Sequence, residues 1–149
     1  MNNFDKAILR ALQQDAGLTT DALADVIGLS RNACWRRVKA LEEAGIIRSR
    51  VALVDPEAVD LGLEVMVLVR TSEHAADWAE KFRSVVRTFP EITGAFRMSG
   101  DLDYVLRVRV RDVKAYDRFY QRLTEKLRLS DISASFVMEE IKNTTALPI

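Results

Sequence analysis

Arg31, Asn32, Arg36 and Lys39 recur along one side of residues 30–45 (S-R-N-A-C-W-R-R-V-K-A-L-E-E-A-G), with Trp35 at the edge of that side. This combination suits nucleic acid. The cationic groups offer charge for phosphates, and Arg and Asn present forked groups that match base edges. Trp35 can pack against a sugar or a thymine methyl. Arg37 falls nearer the apolar side, where holding a phosphate or a structural ion pair is as open as reading a base. Other chemistries lack their residues. One cysteine, Cys34, excludes an internal disulfide framework, and the single histidine, His74, has no partner at metal-ligand spacing. There is no nucleophile elbow or phosphate loop. Glu139 and Glu140 are predicted to lie on a strand, so their carboxylates face opposite sides and form no acid–base pair. Neither an enzyme, a metal site nor a cofactor is expected.

The elements that would carry the basic side are readable. Ser30 can cap a helix by accepting a backbone N–H of the first turn, and Gly45 can close it in the left-handed conformation. Cys34, Val38 and Leu41 share one apolar face at i, i+4 and i+7. Cys34 is therefore expected as a small buried thiol. Upstream, Phe4, Ile8 and Leu12 recur at steps of four, which predicts a helix over residues 4–14. Thr19 or Thr20 can cap a second helix with Leu23, Val26 and Ile27 inward, and Gly28-Leu29-Ser30 turns into the third. Two helices joined by such a turn, the second basic outside, make a helix-turn-helix. Taken alone, the basic helix is equally compatible with a solvated amphipathic helix; the two helices before it favour DNA.

The 149-residue chain has no net formal charge, which argues against diffuse nucleic-acid binding. Residues 31–50, however, hold six basic residues against two acidic ones, and a local patch is enough for docking. Apolar content of 48% is ample for a core, yet no stretch approaches the run of about 20 apolar residues that spans a membrane. Cysteine usage and the lack of a signal-like start predict a cytoplasmic protein. Asp55-Pro56 ends an extended segment, and residues 51–62 read as a semi-rigid linker. The predicted division is a DNA-binding domain over 1–50, the linker over 51–62, and a second domain over 63–149.

In the second domain, residues 65–69 (V-M-V-L-V) read as a strand buried on both faces. Trp78, Phe82, Val85 and Phe89 mark a helix that Pro90 ends. Strands follow over 92–98 and 104–110, then a helix through Tyr116, Phe119, Leu123 and Leu127, and a last strand over 132–141. The order βαββαβ is a ferredoxin-like split unit, and the fold class is α+β. Two helices cover one face of such a sheet. A second layer over the other face is most simply another copy of the chain, in a symmetric dimer.

The motifs I-L-R-A-L-Q-Q-D, L-A-D-V-I-G-L-S, R-V-K-A-L-E-E-A-G-I-I, V-D-P, S-G-D-L-D-Y-V-L-R-V, A-Y-D-R-F, V-M-E-E-I-K and T-T-A-L-P occur in this order along the chain. On these the chain resembles the leucine-responsive/asparagine-responsive (Lrp/AsnC, feast/famine) family of prokaryotic transcription regulators. The resemblance implies a winged-type helix-turn-helix, a ligand-sensing assembly domain, and dimers that build octamers or higher rings. The implied function is sequence-specific binding of double-stranded DNA under control of a small amino acid. An architectural DNA-binding protein indifferent to ligands would share every feature except the effector loop. The DNA-contacting residues it implies are Ser30, Arg31, Asn32, Trp35, Arg36, Arg37 and Lys39. The effector loop it implies is Ser99, Gly100, Asp101, Leu102, Asp103 and Tyr104; Ser133 and Ser135 on the last strand are equally open as hydroxyls reaching it from an adjoining subunit and as ordinary sheet-face residues. On the residues alone, that loop is a tight β-turn; with the resemblance, Asp103 is the expected partner of the ligand's ammonium. The tail and the C-W-R-R-V segment resemble most the branch controlling cysteine detoxification, and a branch controlling branched-chain keto-acid breakdown ends similarly. Cysteine, then a branched-chain amino acid, are the implied effectors.

Overall fold

A computed structural model describes residues 2–72 and 75–149; the expectation for His74 lies outside the described residues. The chain forms two units, Met1–Leu53 with Ile141–Ile149, and Val54–Glu140.

The first unit packs α1 (Asn3–Gln14), α2 (Thr20–Ile27) and α3 (Arg31–Glu43) around Ile8, Leu9, Leu23, Ala24, Cys34 and Leu41. Each helix starts on a side-chain cap. Asn2 and Asp5 form a reciprocal capping box on α1, Thr19 caps α2, and Ser30 accepts from the Ala33 N–H at 3.3 Å. Gly28 and Gly45 hold positive φ angles of 74° and 68°, which end α2 and follow α3 as the sequence predicts. Two predicted core residues are not core. Phe4 is 44% exposed and lies under the Arg37 guanidinium, and Val26 is 68% exposed. On so short a helix, the buried stripe of Leu23, Ala24 and Ile27 rotates Val26 outward.

The residues Ile141–Ile149 belong by contact to this first unit, whereas the predicted division placed them with residues 63–140. The reason is chemical. The Gln13 side-chain amide pairs with both backbone groups of Leu147, accepting from its N–H at 2.6 Å and donating to its carbonyl at 3.2 Å. Arg10 donates to the Ile149 carbonyl, and Ile149 packs against the three-helix core.

Asp5 joins the capping box to the third helix. Its carboxylate takes the Asn2 backbone N–H and the Arg37 guanidinium at 2.9 Å. The Asn2 hydrogen bond, then the Arg37 contact, hold its pKa below the ordinary carboxylate range against an opposing effect of burial. A lowered folded pKa contributes stability that is present above the unfolded value and lost as pH falls through the folded one. The stability difference between wild type and Asp5→Asn, from denaturant titrations followed by tryptophan fluorescence, is therefore expected to be largest at neutral pH. It should close below about pH 4. A difference independent of pH would contradict this role for the carboxylate.

The second unit opens with a short 3-10 turn, Glu57–Val59, inside the predicted linker. Four antiparallel strands follow: β1 (Leu63–Arg70), β2 (Ile92–Arg97), β3 (Tyr104–Val110) and β4 (Asp131–Phe136), in the order β2-β3-β1-β4. Helices α4 (Ala76–Arg87) and α5 (Val113–Lys126) lie on one face. Val65, Val67 and Val69 are fully buried against Phe82, Phe119 and Leu123. Burying each such side chain stabilises by roughly 1.5–3 kcal/mol. Met66 and Leu68, on the other face of β1, are only half-buried, so the two-sided burial expected for this strand is one-sided within the chain. β4 stops at Phe136, five residues short of the predicted end. Its ladder with β1 ends at the Val65–Phe136 pair, with one further bond from the Val137 N–H to the Glu64 carbonyl at 2.9 Å, and Met138 and Ile141 are exposed. Glu139 and Glu140 consequently lie beyond the strand. Glu140 reaches Arg109 at 3.2 Å, and Arg109 also pairs with Glu64.

Candidate DNA-reading helix and effector cavity

Along α3 the burial pattern separates the residues by task. Cys34 is fully buried, and burial pushes its thiol pKa up, so it stays a neutral core group. Asn32, Trp35, Arg36 and Lys39 are exposed, with Trp35 at 54%. The basic residues divide further. Arg31 pairs with Asp21 of α2 at 3.2 Å, both side chains largely exposed. Arg37 is held between the Asp5 carboxylate and the Phe4 ring, 5.5 Å from its centroid. Arg36 and Lys39 make no ion pair among the described residues, and Ser30 spends its hydroxyl on the helix cap. The predicted set thus lies on α3 and its cap, with Asn32, Trp35, Arg36 and Lys39 exposed and Arg37 turned toward α1. Three of its members also anchor the helix.

In the second unit, the predicted loop joins β2 to β3. Gly100 takes φ = 104° with open space where a Cβ would stand, so backbone conformation rather than room calls for glycine. The loop is pinned to the end of β1. The Asp103 N–H donates to the Val69 carbonyl at 3.0 Å, Arg70 donates to the Asp101 carbonyl at 2.9 Å, and the Thr71 N–H donates to Asp103 Oδ2 at 2.8 Å. Asp103 and Tyr104 border a cavity of about 300 Å³, with Thr71, Arg83, Arg97 and Met98. Trp78 supplies an aromatic wall. Its ring stacks on Phe82 at 5.3 Å between centroids, and Phe82 meets Tyr104 at 4.2 Å.

Ser99, Gly100, Asp101 and Leu102 shape the loop but do not border this cavity. Ser133 and Ser135 pair with Leu68 and Met66, on the sheet face opposite the helices, so a single chain does not bring them to it. Sequence reasoning missed Thr71, Trp78, Arg83, Arg97 and Met98. Trp78 was visible only as a helix-core residue, and nothing in the spacing joins α4 to the end of β2.

Comparison with known proteins decides the relationship. The profile of the Lrp/AsnC ligand binding domain matches residues 64–147, and that of a winged helix-turn-helix DNA-binding domain matches residues 1–48. The chain belongs to the Lrp/AsnC family. As a family member it is a DNA-binding transcriptional regulator with a ligand-binding domain. The Escherichia coli K12 DNA-binding transcriptional activator DecR is 46% identical over 150 residues, covering all of this chain and 99% of that protein. The glutamate uptake regulatory protein of Zymomonas mobilis is 44% identical over 149 residues, covering all of this chain and 91% of that protein. A crystal structure of an AsnC family regulator from Agrobacterium tumefaciens superposes with a TM-score of 0.97 at 49% identity, over 99% of this chain and 97% of that one. The Neisseria meningitidis regulator NMB0573 in complex with L-Met gives 0.95 at 38% identity, over 99% and 96%. No helix among the described residues is long and apolar enough to cross a membrane.

Proposed function

We propose that this family member docks α3 in the major groove through Arg36 and Lys39, with Asn32 and Trp35 beside them. The observation that carries this reading is the contrast along α3: Arg31 and Arg37 have carboxylate partners, while Arg36 and Lys39 are exposed without one. Ser30 sets where the helix begins. Arg37 fixes α3 against α1. Arg31 can exchange Asp21 for a phosphate at small cost, since an exposed ion pair is worth about 0–1 kcal/mol.

The effector is an α-amino acid seated at the Asp103 end of the cavity, its ammonium on the carboxylate. The complex of the neisserial relative with L-Met supports this class of ligand. Ser133, Ser135 and residues 99–102 contribute only across a subunit boundary. The open sheet face, with Met66 and Leu68 half-buried, is where a second copy packs, and dimers assemble further toward an octamer. The regulator works in the cytoplasm, where its DNA is.

Anisotropy titration of a bound promoter fragment at two salt concentrations tests the DNA side. Arg36→Ala is expected to weaken specific binding by about 1–3 kcal/mol, and Lys39→Ala to reduce the salt slope by about one. Both residues are exposed, so folding survives. Unchanged affinity and slope in both variants would remove this helix from the interface.

A further inference from the structure

We infer that the effector is an acidic amino acid whose side-chain carboxylate is bound by Arg97. This rests on the reading that the cavity beside Asp103 is the effector site, and adds the charge class of its ligand. The cavity does not end at Tyr104. A second hollow of about 250 Å³, between α4 and the edge strand β2, shares Arg83, Arg97 and Tyr104 with it. Arg87, one helical turn beyond Arg83, borders this extension. Three guanidinium groups thus face the combined space, and among the described residues Asp103 is the only acid on its walls.

The cations are available. Arg97 and Arg87 have no ion pair among the described residues. Arg83 holds Glu80 at 3.1 Å, with the two side chains 52% and 70% exposed. Such a pair is worth little and is easily exchanged for a better-placed carboxylate. Asp103, in contrast, is held in place by the Thr71 N–H.

A neutral amino acid leaves this space positively charged. Its one carboxylate can satisfy one guanidinium, and its ammonium takes Asp103. An acidic amino acid brings a second carboxylate that pairs with a second fork in the bidentate manner arginine favours. The methylenes between the two ends lie along Trp78 and Met98, which are the apolar part of the wall. Charge complementarity of this kind selects among ligands of equal size through the pairs left unmade.

Calorimetry on the full chain at fixed ionic strength tests this with L-glutamate, L-glutamine and glutarate. Glutamate is expected to bind at least about tenfold more tightly than glutamine, which has the same shape and one charge fewer. Arg97→Gln should lower glutamate affinity by a similar factor while leaving glutamine affinity unchanged, a pattern that misfolding cannot produce. Glutamine or methionine binding as tightly as glutamate in wild type, with an Asp103-dependent signal, would overturn the acidic class and leave the amino-acid site standing. Glutarate binding as tightly as glutamate, dependent on Arg97 but not on Asp103, would keep the acidic class and remove the amino acid. An unchanged glutamate-to-glutamine ratio in Arg97→Gln would overturn the assignment of Arg97.

Discussion

Asp103→Asn is expected to lower affinity for the amino-acid effector roughly ten- to hundredfold while leaving effector-free DNA binding unchanged. Hydrogen bonds to charged groups contribute about 1.5–3 kcal/mol, which is that range in affinity. The asparagine variant is the informative one. Asp103 also accepts the Thr71 N–H, and Thr71 is buried. Alanine would strand that donor and confuse lost binding with lost folding. Asparagine keeps an acceptor oxygen and removes only the charge. Asp101→Ala is the control, because Asp101 is exposed and meets Arg70 through its backbone carbonyl. Calorimetry should give near wild-type affinity for Asp101→Ala. Equal affinities for Asp103→Asn and wild type would make Asp103 a turn residue and place the ammonium elsewhere.

The second large effect concerns assembly. Across the sheet, Phe96, Val105, Leu68 and Ser133 fall in one row on the face that the helices leave uncovered. Phe96 is 51% exposed, and Met66 lies in the next row. In a monomer Val105 is covered, but Phe96 and part of Leu68 stay in water. Leu68→Asp places a carboxylate in the middle of this row, and burying an unpaired charge against a partner sheet costs several kcal/mol. Sedimentation equilibrium at micromolar concentration should find wild type and Leu68→Met at least dimeric and Leu68→Asp monomeric, with circular dichroism showing the fold retained. A monomeric wild type would leave the second layer unexplained and also remove the spacing of two α3 helices for half-sites about 34 Å, or a multiple, apart.

Local signals were legible and long-range ones were not. The Ser30 cap, the left-handed Gly28 and Gly45, and the strand and helix order of the second unit all follow from short-range rules of capping and periodicity. Phe4 and Val26 misled because spacing gives a helix face but not how much of it its neighbours can cover. The residues after Phe136 read as strand, yet the ladder with β1 ends at the Val65–Phe136 pair, followed by one bond from the Val137 N–H to the Glu64 carbonyl. Gln13 and Leu147 are 134 positions apart, so the docking of the tail on α1 has no sequence signature. The same holds for the cavity. Asp103 and Tyr104 were named through the family resemblance of their loop, which on its residues alone is a tight turn, whereas Arg83 and Arg97 meet them only once α4 is laid across the sheet.

The central claim is that an amino acid bound in the second unit controls the DNA affinity of the first. Its most direct test is an anisotropy titration of labelled promoter DNA with the full chain, at fixed salt, with and without the saturating amino acid that calorimetry selects. Wild type is expected to show two curves whose midpoints differ by about 5-fold or more, the usual range of coupling between sites. In Asp103→Asn the two curves should coincide at that ligand concentration, at the effector-free position. Coincident curves in wild type, for every amino acid that binds, would contradict the claim.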